Sequence, residues 1–420
     1  MPDAVLAVAA LLLGACWLLL ALSFEAISRQ LRRLDAVLAA EPSPAPAVLG
    51  DVPTVSVIVT ARDEQATIAH TLRRLLAQSG IALEIVAVDD RSRDRTGALL
   101  DELAAEAAAA PLLRVIHNQA LPAGWLGKCH ACHIGSRAAR GRWLLFLDAD
   151  VELASDDVLA RVVALAERHR LDHVSLIPDM RPMGAAQAAL VALFGQLFAL
   201  SGYLWEMDRD RPRGGAGIGA FNLVRRSAYD RIDGHRLLRC DTGDDFKLGA
   251  LLKETGARQR LYLGLDLVRC PWQAGALNVV RGLDKNFFGA FAYSLSQLAA
   301  FTVGLLVVHL GPALLAAVGL ARVSAGASPW LALTALPFAL QFALLGAGYV
   351  VRGRPLGLPP LAFAFHPLAV LLLLAAAWNS AITILARGGV RWRDTFYPLA
   401  ALKSGRVRSG DGRRWIARQA

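Results

Sequence analysis

The hydrophobic residues of this chain follow two different patterns. From about Val55 to Lys285, short β-branched runs that end in polar residues alternate with segments of helical spacing. Buried parallel strands are near-continuous hydrophobic runs, so four of these runs are predicted to be strands. They are 55–61, 83–90, 112–118 and 142–150. Apolar residues at helical spacing over 65–78 predict a helix between the first two strands. This alternation predicts an α/β domain with a mainly parallel sheet, in which ligands gather at the carboxyl ends of the strands.

Long uncharged runs flank this region and predict membrane helices. Residues 4–24 are uncharged and long enough to cross a bilayer. No basic residue precedes them and no small-x-small cleavage site follows, so we expect a retained N-terminal anchor and not a signal peptide. Three later runs contain no Asp, Glu, Lys or Arg, and each is long enough for one membrane helix: 287–321, 323–351 and 355–386.

The predicted organisation has five parts. They are an N-terminal transmembrane anchor (1–28), a basic flank with a Pro/Ala linker (29–53), a cytoplasmic catalytic domain (54–285), C-terminal transmembrane helices (286–387) and a basic cytoplasmic tail (388–420). Arg29, Arg32 and Arg33 favour a cytoplasmic domain by the positive-inside rule. Nine Lys and Arg residues from Arg387 to Arg418 favour a cytoplasmic tail, although three crossings after the domain would put it outside. We therefore expect that one late apolar segment does not cross, or that the longest one holds two crossings.

Residues 184–205 form a further uncharged run inside the predicted domain. A crossing here would separate the chain before it from the chain after it, whereas the motifs described below need both halves on one side. We therefore predict an interfacial helix that lies against the bilayer, past which a lipid could approach.

The composition agrees with a membrane protein. Hydrophobic residues make up 55% of the chain, charged residues only 19%, and the mean hydropathy is +0.41; soluble domains contain about a quarter charged residues. The net charge of +10 does not indicate nucleic acid, because many basic residues flank apolar runs instead of gathering on one polar domain. Five cysteines form no disulfide framework, which fits a reducing compartment.

Acidic residues cluster where the predicted strands end. The first strand is followed by Arg62-Asp63-Glu64, the second ends in Asp89-Asp90, and the fourth ends in Asp148-Ala149-Asp150. Carboxylates at one sheet edge repel one another unless a cation compensates. An Asp-x-Asp pair offers oxygens to a hard divalent ion, Mg²⁺ or Mn²⁺, which would bridge to ligand phosphates.

Three segments in combination resemble family 2 glycosyltransferases with the GT-A fold, which is Rossmann-like. They are PTVSVIVTARDEQATIAHTLRRLLAQ (53–78), LEIVAVDDRSRDRTGALL (83–100) and GRWLLFLDADVEL (141–153). The resemblance covers about residues 53–285. It implies inverting transfer of a sugar from a nucleotide sugar, with a UDP-sugar favoured as donor.

The same resemblance implies roles for individual residues. Five positions would contact the donor: Ala61, Arg62, Glu64, Asp90 and Asp148. Among these, Asp90 would contact the base. Asp148 and Asp150 would bind Mg²⁺ or Mn²⁺, which holds the donor diphosphate.

The segment LPAGWLGKCHACHIG (121–135) is similar to membrane-bound family members near hopanoid and carotenoid pathways. There Lys128 would neutralise the diphosphate as a flexible point charge; the alternative is an exposed loop lysine. The CHACH residues 129–133 have Cys-x-x-Cys spacing, but no second ligand pair lies at a zinc-finger distance. Neighbours on a helix point away from each other, so we expect a helix packed on the sheet in preference to a zinc site.

Segments 214–235 and 240–256 resemble the acceptor side of the family. Asp244-Asp245-Phe246-Lys247-Leu248 matches the Glu-Asp-x-x-Leu pattern at the start of a helix, which implies that Asp245 is the general base. Inverting transfer needs one carboxylate to take the proton of the acceptor hydroxyl. Asp244 stands where Glu is usual, and it is either a second catalytic residue or a helix cap.

The Gln-x-x-Arg-Trp motif of processive synthases is absent, and residues 271–275 near its place do not match it. The sequence therefore favours transfer of a single hexose-type sugar to a membrane lipid, in the bacterial inner membrane. A hopanoid or another polyisoprenoid-type lipid is the favoured acceptor. Two alternatives are a processive polysaccharide synthase and a non-catalytic membrane scaffold or transporter with a degenerate transferase domain.

Overall fold

The computed structural model describes residues 2–42, 52–106, 112–209, 211–270, 273, 275–283 and 287–418. Most of the predicted linker, together with Trp272 and Lys285, lies outside these residues. The chain forms two compact units. The sheet unit comprises Gln30–Met180, Ser201–Cys270 and Thr395–Ala420, and the helical unit comprises Met1–Arg29, Arg181–Leu200 and Pro271–Asp394.

The strands and helices are numbered along the chain. The strands are β1 Val55–Ala61, β2 Leu83–Asp90, β3 Leu113–Asn118, β4 Trp143–Asp148, β5 Glu152–Leu153, β6 His173–Ile177, β7 Asn222–Arg225, β8 Gln259–Leu263, β9 Val268–Arg269, β10 Gly389–Trp392 and β11 Thr395–Pro398. The helices are α1 Pro2–Gln30, α2 Leu34–Ala39, α3 Ile68–Leu76, α4 Thr96–Ala105, α5 Gly127–Ala138, α6 Val158–Arg168, α7 Gly184–Ser201, α8 Arg226–Arg231, α9 Asp244–Glu254, α10 Ala276–Gly282, α11 Phe287–Ala290, α12 Leu295–His309, α13 Gly311–Ser324, α14 Leu336–Ala347, α15 His366–Arg387, α16 Leu399–Gly405 and α17 Asp411–Ala417.

The main sheet has the strand order β3-β2-β1-β4-β7-β6-β8. Strands β3, β2, β1 and β4 are parallel, β7 runs antiparallel to both of its neighbours, and β6 pairs with β8 in parallel. The four strands predicted from the sequence are confirmed within one or two residues, and the predicted helix 65–78 is the shorter α3. The sheet is mainly parallel, as the sequence predicts.

Alternate residues of the central strands enter two different cores. Val57 and Val59 of β1 belong to a buried cluster with α3, α4 and α6, the α3-side cluster. Ile58 of the same strand belongs to a cluster with α5 and α9, the α5-side cluster. Both faces of the strand are therefore covered, which explains why its sequence is a hydrophobic run without polar alternation.

The sheet unit extends beyond the predicted domain at both ends. Leu34 and Leu38 of α2 are buried in the α3-side cluster, so the predicted basic flank supplies a helix to the core. Val407 is buried in the α5-side cluster, and its N–H donates to a carboxylate oxygen of Asp241 at 3.0 Å. The predicted basic tail therefore folds into the sheet unit, because its few apolar side chains fill a buried face there.

The helical unit contains α1, α7 and α10 to α15. Leu190 and Leu193 of α7 are buried in one cluster with Leu305 of α12 and with Val370 and Leu373 of α15. Residues 181–200 therefore leave the contiguous domain predicted for 54–285, because an all-apolar helix buries its surface best against other apolar helices.

Four helices among the described residues are long and apolar enough to cross a membrane: Asp3–Gln30, Gly184–Ser201, Pro329–Gly353 and Pro360–Arg387. The predicted span 287–321 is broken, since α12 and α13 meet at an angle of 52°. This pair is either one broken span or a re-entrant loop. The count of crossings is therefore not fixed by length and composition alone.

Candidate active site

Three charged side chains converge on Gly219, in the loop before β7. A Cβ atom at this position would lie 2.6 Å from Oδ2 of Asp148, 3.1 Å from Oδ2 of Asp245 and 3.2 Å from Nζ of Lys128. The Gly219 N–H donates to Oδ2 of Asp245 at 3.0 Å, and its carbonyl accepts from the Asp148 N–H at 3.1 Å. Only glycine leaves room for three charged groups here. The structure thus brings together three residues that the sequence predicts from distant segments.

Each of these side chains stands at the end of a secondary-structure element. Asp148 is the last residue of β4, and the parallel register puts it beside Thr60 of β1. Lys128 and Asp245 are the second residues of α5 and α9. Carboxyl ends of parallel strands and the loops that follow them form one edge of an α/β sheet, which is where ligands bind in such folds.

The site carries one ammonium group among several carboxylates. Nζ of Lys128 donates to Oδ1 of Asp148 at 2.7 Å. Burial of Lys128 would lower its pKa, but the carboxylates of Asp148, Asp244 and Asp245 outweigh it and hold the pKa well above its usual value. Burial also raises the pKa of Asp244 well above its usual range, and the charge of Asp245 adds to this effect. One further cationic centre would relieve this repulsion.

Asp148 and Asp150 fit a divalent metal ion. Partial burial and the charge of Asp148 raise the pKa of Asp150, although the charge of Lys128 opposes this shift. Both side chains reach solvent, and hard divalent ions prefer carboxylate oxygens and keep part of their water shell. Sγ of Cys270 lies 3.8 Å from Oδ1 of Asp150, at the rim of the same site.

A second group of polar residues surrounds Asp90 at the end of β2. Arg91 binds the Asp90 carboxylate through two hydrogen bonds, Nε to Oδ1 at 3.0 Å and Nη2 to Oδ2 at 2.8 Å. Nδ2 of Asn118 donates to Oδ1 at 2.7 Å, and Nη1 of Arg62 lies 3.9 Å from Oδ2. The start of α5 contacts both this group and the residues around Gly219. Gly127 lies against Asp90 and Arg91, and Lys128 binds Asp148.

The other two predicted donor residues lie in the loops beside this site. Ala61 ends β1 and pairs with Asp89 of β2. The Glu64 N–H donates to Oγ1 of Thr96 at 2.8 Å, and Oγ1 of Thr67 lies 3.4 Å from Glu64 Oε2. The Glu64 N–H thus joins the loop after β1 to the start of α4, and a direct role of Glu64 at the donor stays a prediction.

The CHACH segment forms the helix that the sequence predicts. Cys129 and Cys132 are buried against the sheet, whereas His130 and His133 pack on the ring of Trp125, with ring centroids 5.3 and 5.0 Å apart. The Cys132 thiol also lies close to His235 and Asp244, whose ring nitrogen and carboxylate are within 4.8 Å of it. Burial lowers the pKa of His235 to about 3 and raises that of the Cys132 thiol, so both are neutral near pH 7. These residues line the inner wall of the site.

Sequence reasoning missed four residues of the Asp90 group, of which Asn118 ends β3. Arg91 follows Asp90 directly and could have been noticed, whereas Thr395 and Tyr397 come from β11 in the predicted tail. Oγ1 of Thr395 accepts from Arg62 at 3.3 Å and from Arg91 at 3.4 Å, and the hydroxyl of Tyr397 accepts from the Gly127 N–H at 3.1 Å. Nothing in a local pattern connects residues that are 270 positions apart.

Comparison with known proteins agrees with this arrangement. Residues 56–233 match the sequence profile of Glycosyl transferase family 2. The 4,4'-diaponeurosporenoate glycosyltransferase of Staphylococcus haemolyticus is 23% identical over 237 residues, which are 56% of this chain and 60% of that protein. The beta-monoglucosyldiacylglycerol synthase of Trichormus variabilis is 32% identical over 189 residues, which are 44% of this chain and 38% of that protein. The chain therefore spans less than two thirds of either relative.

Among solved structures, a mannosyltransferase from Pyrobaculum calidifontis in complex with GDP-Man and Mn²⁺ is similar, with a TM-score of 0.50. The match covers 89% of this chain and 98% of that one at 19% identity, so it bears on the fold alone. The resemblance inferred from the strand-end motifs is confirmed. Residues 56–233 are therefore a glycosyl transferase family 2 domain, and the sheet that contains them has the GT-A fold.

Proposed function

We propose that this protein is a membrane-bound, metal-dependent glycosyltransferase that moves a single sugar from a nucleotide sugar to a lipid, with inversion at the anomeric carbon. The observation that carries the proposal is the convergence of Lys128, Asp148 and Asp245 on Gly219. A cation, a metal-binding carboxylate and a second carboxylate are the groups that such a transfer requires in one place.

Asp245 is the proposed general base. It takes the proton of the acceptor hydroxyl as that oxygen bonds to the anomeric carbon, while the bond from this carbon to the diphosphate oxygen breaks. The N–H groups of Gly219 and Phe246 donate to its two carboxylate oxygens at 3.0 and 2.7 Å, which fixes the carboxylate in one orientation. A single base of this kind supports one displacement, and therefore inversion.

The leaving nucleoside diphosphate carries the electron pair of the broken bond. Lys128 would turn from Asp148 to the diphosphate, and its raised pKa keeps it charged at neutral pH. Asp148 and Asp150 would hold Mg²⁺ or Mn²⁺, which supplies the remaining neutralisation when bound. The mannosyltransferase of similar fold was solved with GDP-Man and Mn²⁺, which supports a nucleotide-sugar donor and a divalent ion here.

A lipid acceptor is supported by the helical unit and by the names of the relatives. One relative is named for 4,4'-diaponeurosporenoate and the other for beta-monoglucosyldiacylglycerol. The first name gives an apolar acid that receives a glycosyl group, and the second gives a glucosylated diacylglycerol, so both refer to lipids. We therefore propose a membrane lipid, with a hopanoid or another polyisoprenoid-type lipid as the first class to test.

Pairing within the sheet unit supports a definite topology. His173 of β6 pairs with Val224 of β7, and α7 lies between these strands in the chain. A single crossing by α7 would put these paired strands on opposite sides of the membrane. We therefore propose that both ends of α7 lie on the same side. By the same reasoning, an even number of crossings lies between Cys270 and Thr395, with the sheet unit in the cytoplasm of a bacterial inner membrane.

The proposal is tested with purified full-length protein, Mn²⁺ and a bacterial lipid extract. Radiolabelled UDP-glucose, UDP-N-acetylglucosamine and GDP-mannose are supplied separately, and label is counted in the organic phase. We expect label from one donor in a lipid that carries one sugar, and none after metal removal with EDTA or with Asp245→Asn. Label in a water-soluble polymer would favour a processive synthase, and absence of any transfer or donor hydrolysis would favour a non-catalytic protein.

A further inference from the structure

The Asp90 carboxylate is almost completely enclosed. Only 3% of the residue is exposed, and three hydrogen bonds from Arg91 and Asn118 occupy its oxygens. Arg91 holds this position with a φ of 62°, a left-handed backbone conformation that costs free energy for any residue but glycine. Contacts from the surrounding structure must therefore stabilise Arg91 in this strained conformation, in which its side chain binds the preceding Asp90.

The C-terminal strand β11 supplies that support. Oγ1 of Thr395 accepts hydrogen bonds from Arg62 and Arg91, at 3.3 and 3.4 Å. The Tyr397 hydroxyl accepts from the Gly127 N–H at 3.1 Å, and its interaction with Arg91 contributes to the raised pKa of that arginine. Phe396 lies between them with 44% of its surface exposed, as expected when successive strand residues point to opposite sides. The two polar residues therefore share the side of β11 that faces the Asp90 group.

The fit between these elements is close. A Cβ atom at Gly127 would lie 2.5 Å from Oδ2 of Asp90 and 2.7 Å from Nη2 of Arg91, so any larger residue here would displace these side chains. Two guanidinium groups share this small space, and burial together with the charge of Arg91 lowers the pKa of Arg62. This small, closely packed space lies at the carboxyl edge of the sheet, where ligands bind in such folds.

We propose that Thr395 and Tyr397 are positioning residues of the donor site, which hold Arg91 and Arg62 in place for a nucleoside diphosphate. This inference rests on the proposed function, because it takes Asp90 to contact the base. A base can reach that carboxylate only when Arg91 turns aside. Thr395 and Tyr397 bind Arg91 independently of Asp90, so they keep its guanidinium in the pocket, beside the incoming nucleotide, after it leaves the carboxylate.

The test uses full-length Thr395→Val and Tyr397→Phe, which remove one hydroxyl each without changing size. UDP and GDP are titrated calorimetrically in the presence of Mn²⁺, and Mn²⁺-pyrophosphate is titrated as a ligand without a base. Each lost hydrogen bond is expected to weaken binding of the preferred nucleotide about three- to tenfold. Pyrophosphate binding should stay at its wild-type value. Phe396→Ala, on the exposed side of β11, is the matched control and should bind nucleotide normally.

The possible failures are distinguishable. If the wild-type protein binds neither UDP nor GDP, the proposed function fails, whatever the variants do. If it binds one of them, unchanged or tighter nucleotide binding by both variants overturns the positioning role. Equal weakening of nucleotide and pyrophosphate also overturns it, because β11 would then support the whole site and not the nucleoside side.

Discussion

The ammonium group of Lys128 lies 2.7 Å from Oδ1 of Asp148, so the two residues form a direct ion pair. The sequence assigns them different tasks, the diphosphate to Lys128 and the metal ion to Asp148. Without ligands, the lysine therefore neutralises the carboxylate that a metal ion would bind. Under the proposed function, binding of the donor with its metal ion would exchange one cation for another at Asp148.

Lys128→Gln should change metal binding and catalysis in opposite directions. Removing the ammonium frees Asp148 from a competing cation, so Mn²⁺ should bind the nucleotide-free protein several-fold more tightly, as measured by electron paramagnetic resonance. Transfer should fall at least 10²-fold, because the leaving diphosphate loses a positive group. Lys403→Gln, on the exposed surface of α16, is the control and should leave both values unchanged. Weaker Mn²⁺ binding by Lys128→Gln would contradict the competition argument.

Asp245→Asn should abolish transfer and spare donor binding. Asparagine keeps the size of the side chain and an oxygen for the Gly219 N–H, but it cannot take a proton from an acceptor hydroxyl. A loss of about 10²–10⁴-fold in kcat is expected, with an unchanged Kd for the nucleotide. Asp244→Asn is the companion variant. Near-normal transfer by Asp245→Asn together with a large loss in Asp244→Asn would assign the base to Asp244.

The sequence predicts the strand-end residues of the candidate site better than the residues that the C-terminal tail contributes. Asp90 and Asp148 end short hydrophobic runs that are typical of buried parallel strands, so their place at one edge of the sheet follows from local pattern. The resemblance of residues 244–248 to the family's Glu-Asp-x-x-Leu pattern predicts Asp245, which is the second residue of α9. Tyr397 lies in a segment dominated by basic charge, and its partner Gly127 is 270 residues away. Only tertiary packing joins them, and no periodicity records such a contact.

The antiparallel strand β7 and the segmented domain were missed for the same reason. A strand of four residues is too short to show a period, and its direction is set by the neighbours that it meets. Likewise, α7 has the composition of a membrane span, whereas the pairing of β6 with β7 on either side of it argues against a single crossing.

Glu84 should stabilise the sheet unit at neutral pH and lose this effect in acid. Burial would raise its pKa, but hydrogen bonds from Ser56 and from the N–H and guanidinium of Arg140 outweigh burial and hold the pKa below its usual value. Because the pKa of Glu84 is lower in the folded than in the unfolded state, its carboxylate stabilises the fold above about pH 4.5. This contribution disappears as the pH falls through the pKa of the folded state. Glu84→Gln should therefore be about 2 kcal/mol less stable at pH 7.

The measurement is thermal unfolding of both proteins at pH 7 and pH 4. The difference between wild type and Glu84→Gln should shrink at the lower pH. Glu102→Gln changes an exposed glutamate and should shift stability by less than about 0.5 kcal/mol at either pH. A difference that stays constant between pH 7 and pH 4 would show that packing, and not the carboxylate charge, is responsible.

The tail should lie on the same side of the membrane as the sheet. The hydrogen bond from the Val407 N–H to Asp241 joins the tail to the domain directly. In a cysteine-free background, Ser404→Cys and Ser79→Cys each present an exposed thiol. Neither should react with a membrane-impermeant maleimide in intact cells, and both should react after permeabilisation. Labelling of position 404 but not 79 in intact cells would require an odd number of crossings after Cys270.

The last prediction concerns the lipid and α7. This helix of 18 uncharged residues lies in the chain between two strands that pair with each other, so it needs an apolar surrounding without crossing to the far side. Exposing such a surface to water would invite aggregation. A lipid acceptor that approaches α7 would account for this apolar surface.

Phe198 is only half-buried, so Phe198→Asp should reduce transfer to lipid more than tenfold and leave water-driven hydrolysis of the donor intact. Leu193 is 1% exposed, and Leu193→Asp should destabilise the helical unit itself, which provides the comparison for a purely structural effect. Equal loss of transfer and hydrolysis in Phe198→Asp would mean that α7 only maintains the fold, and efficient glycosylation of a water-soluble acceptor would reject the lipid proposal.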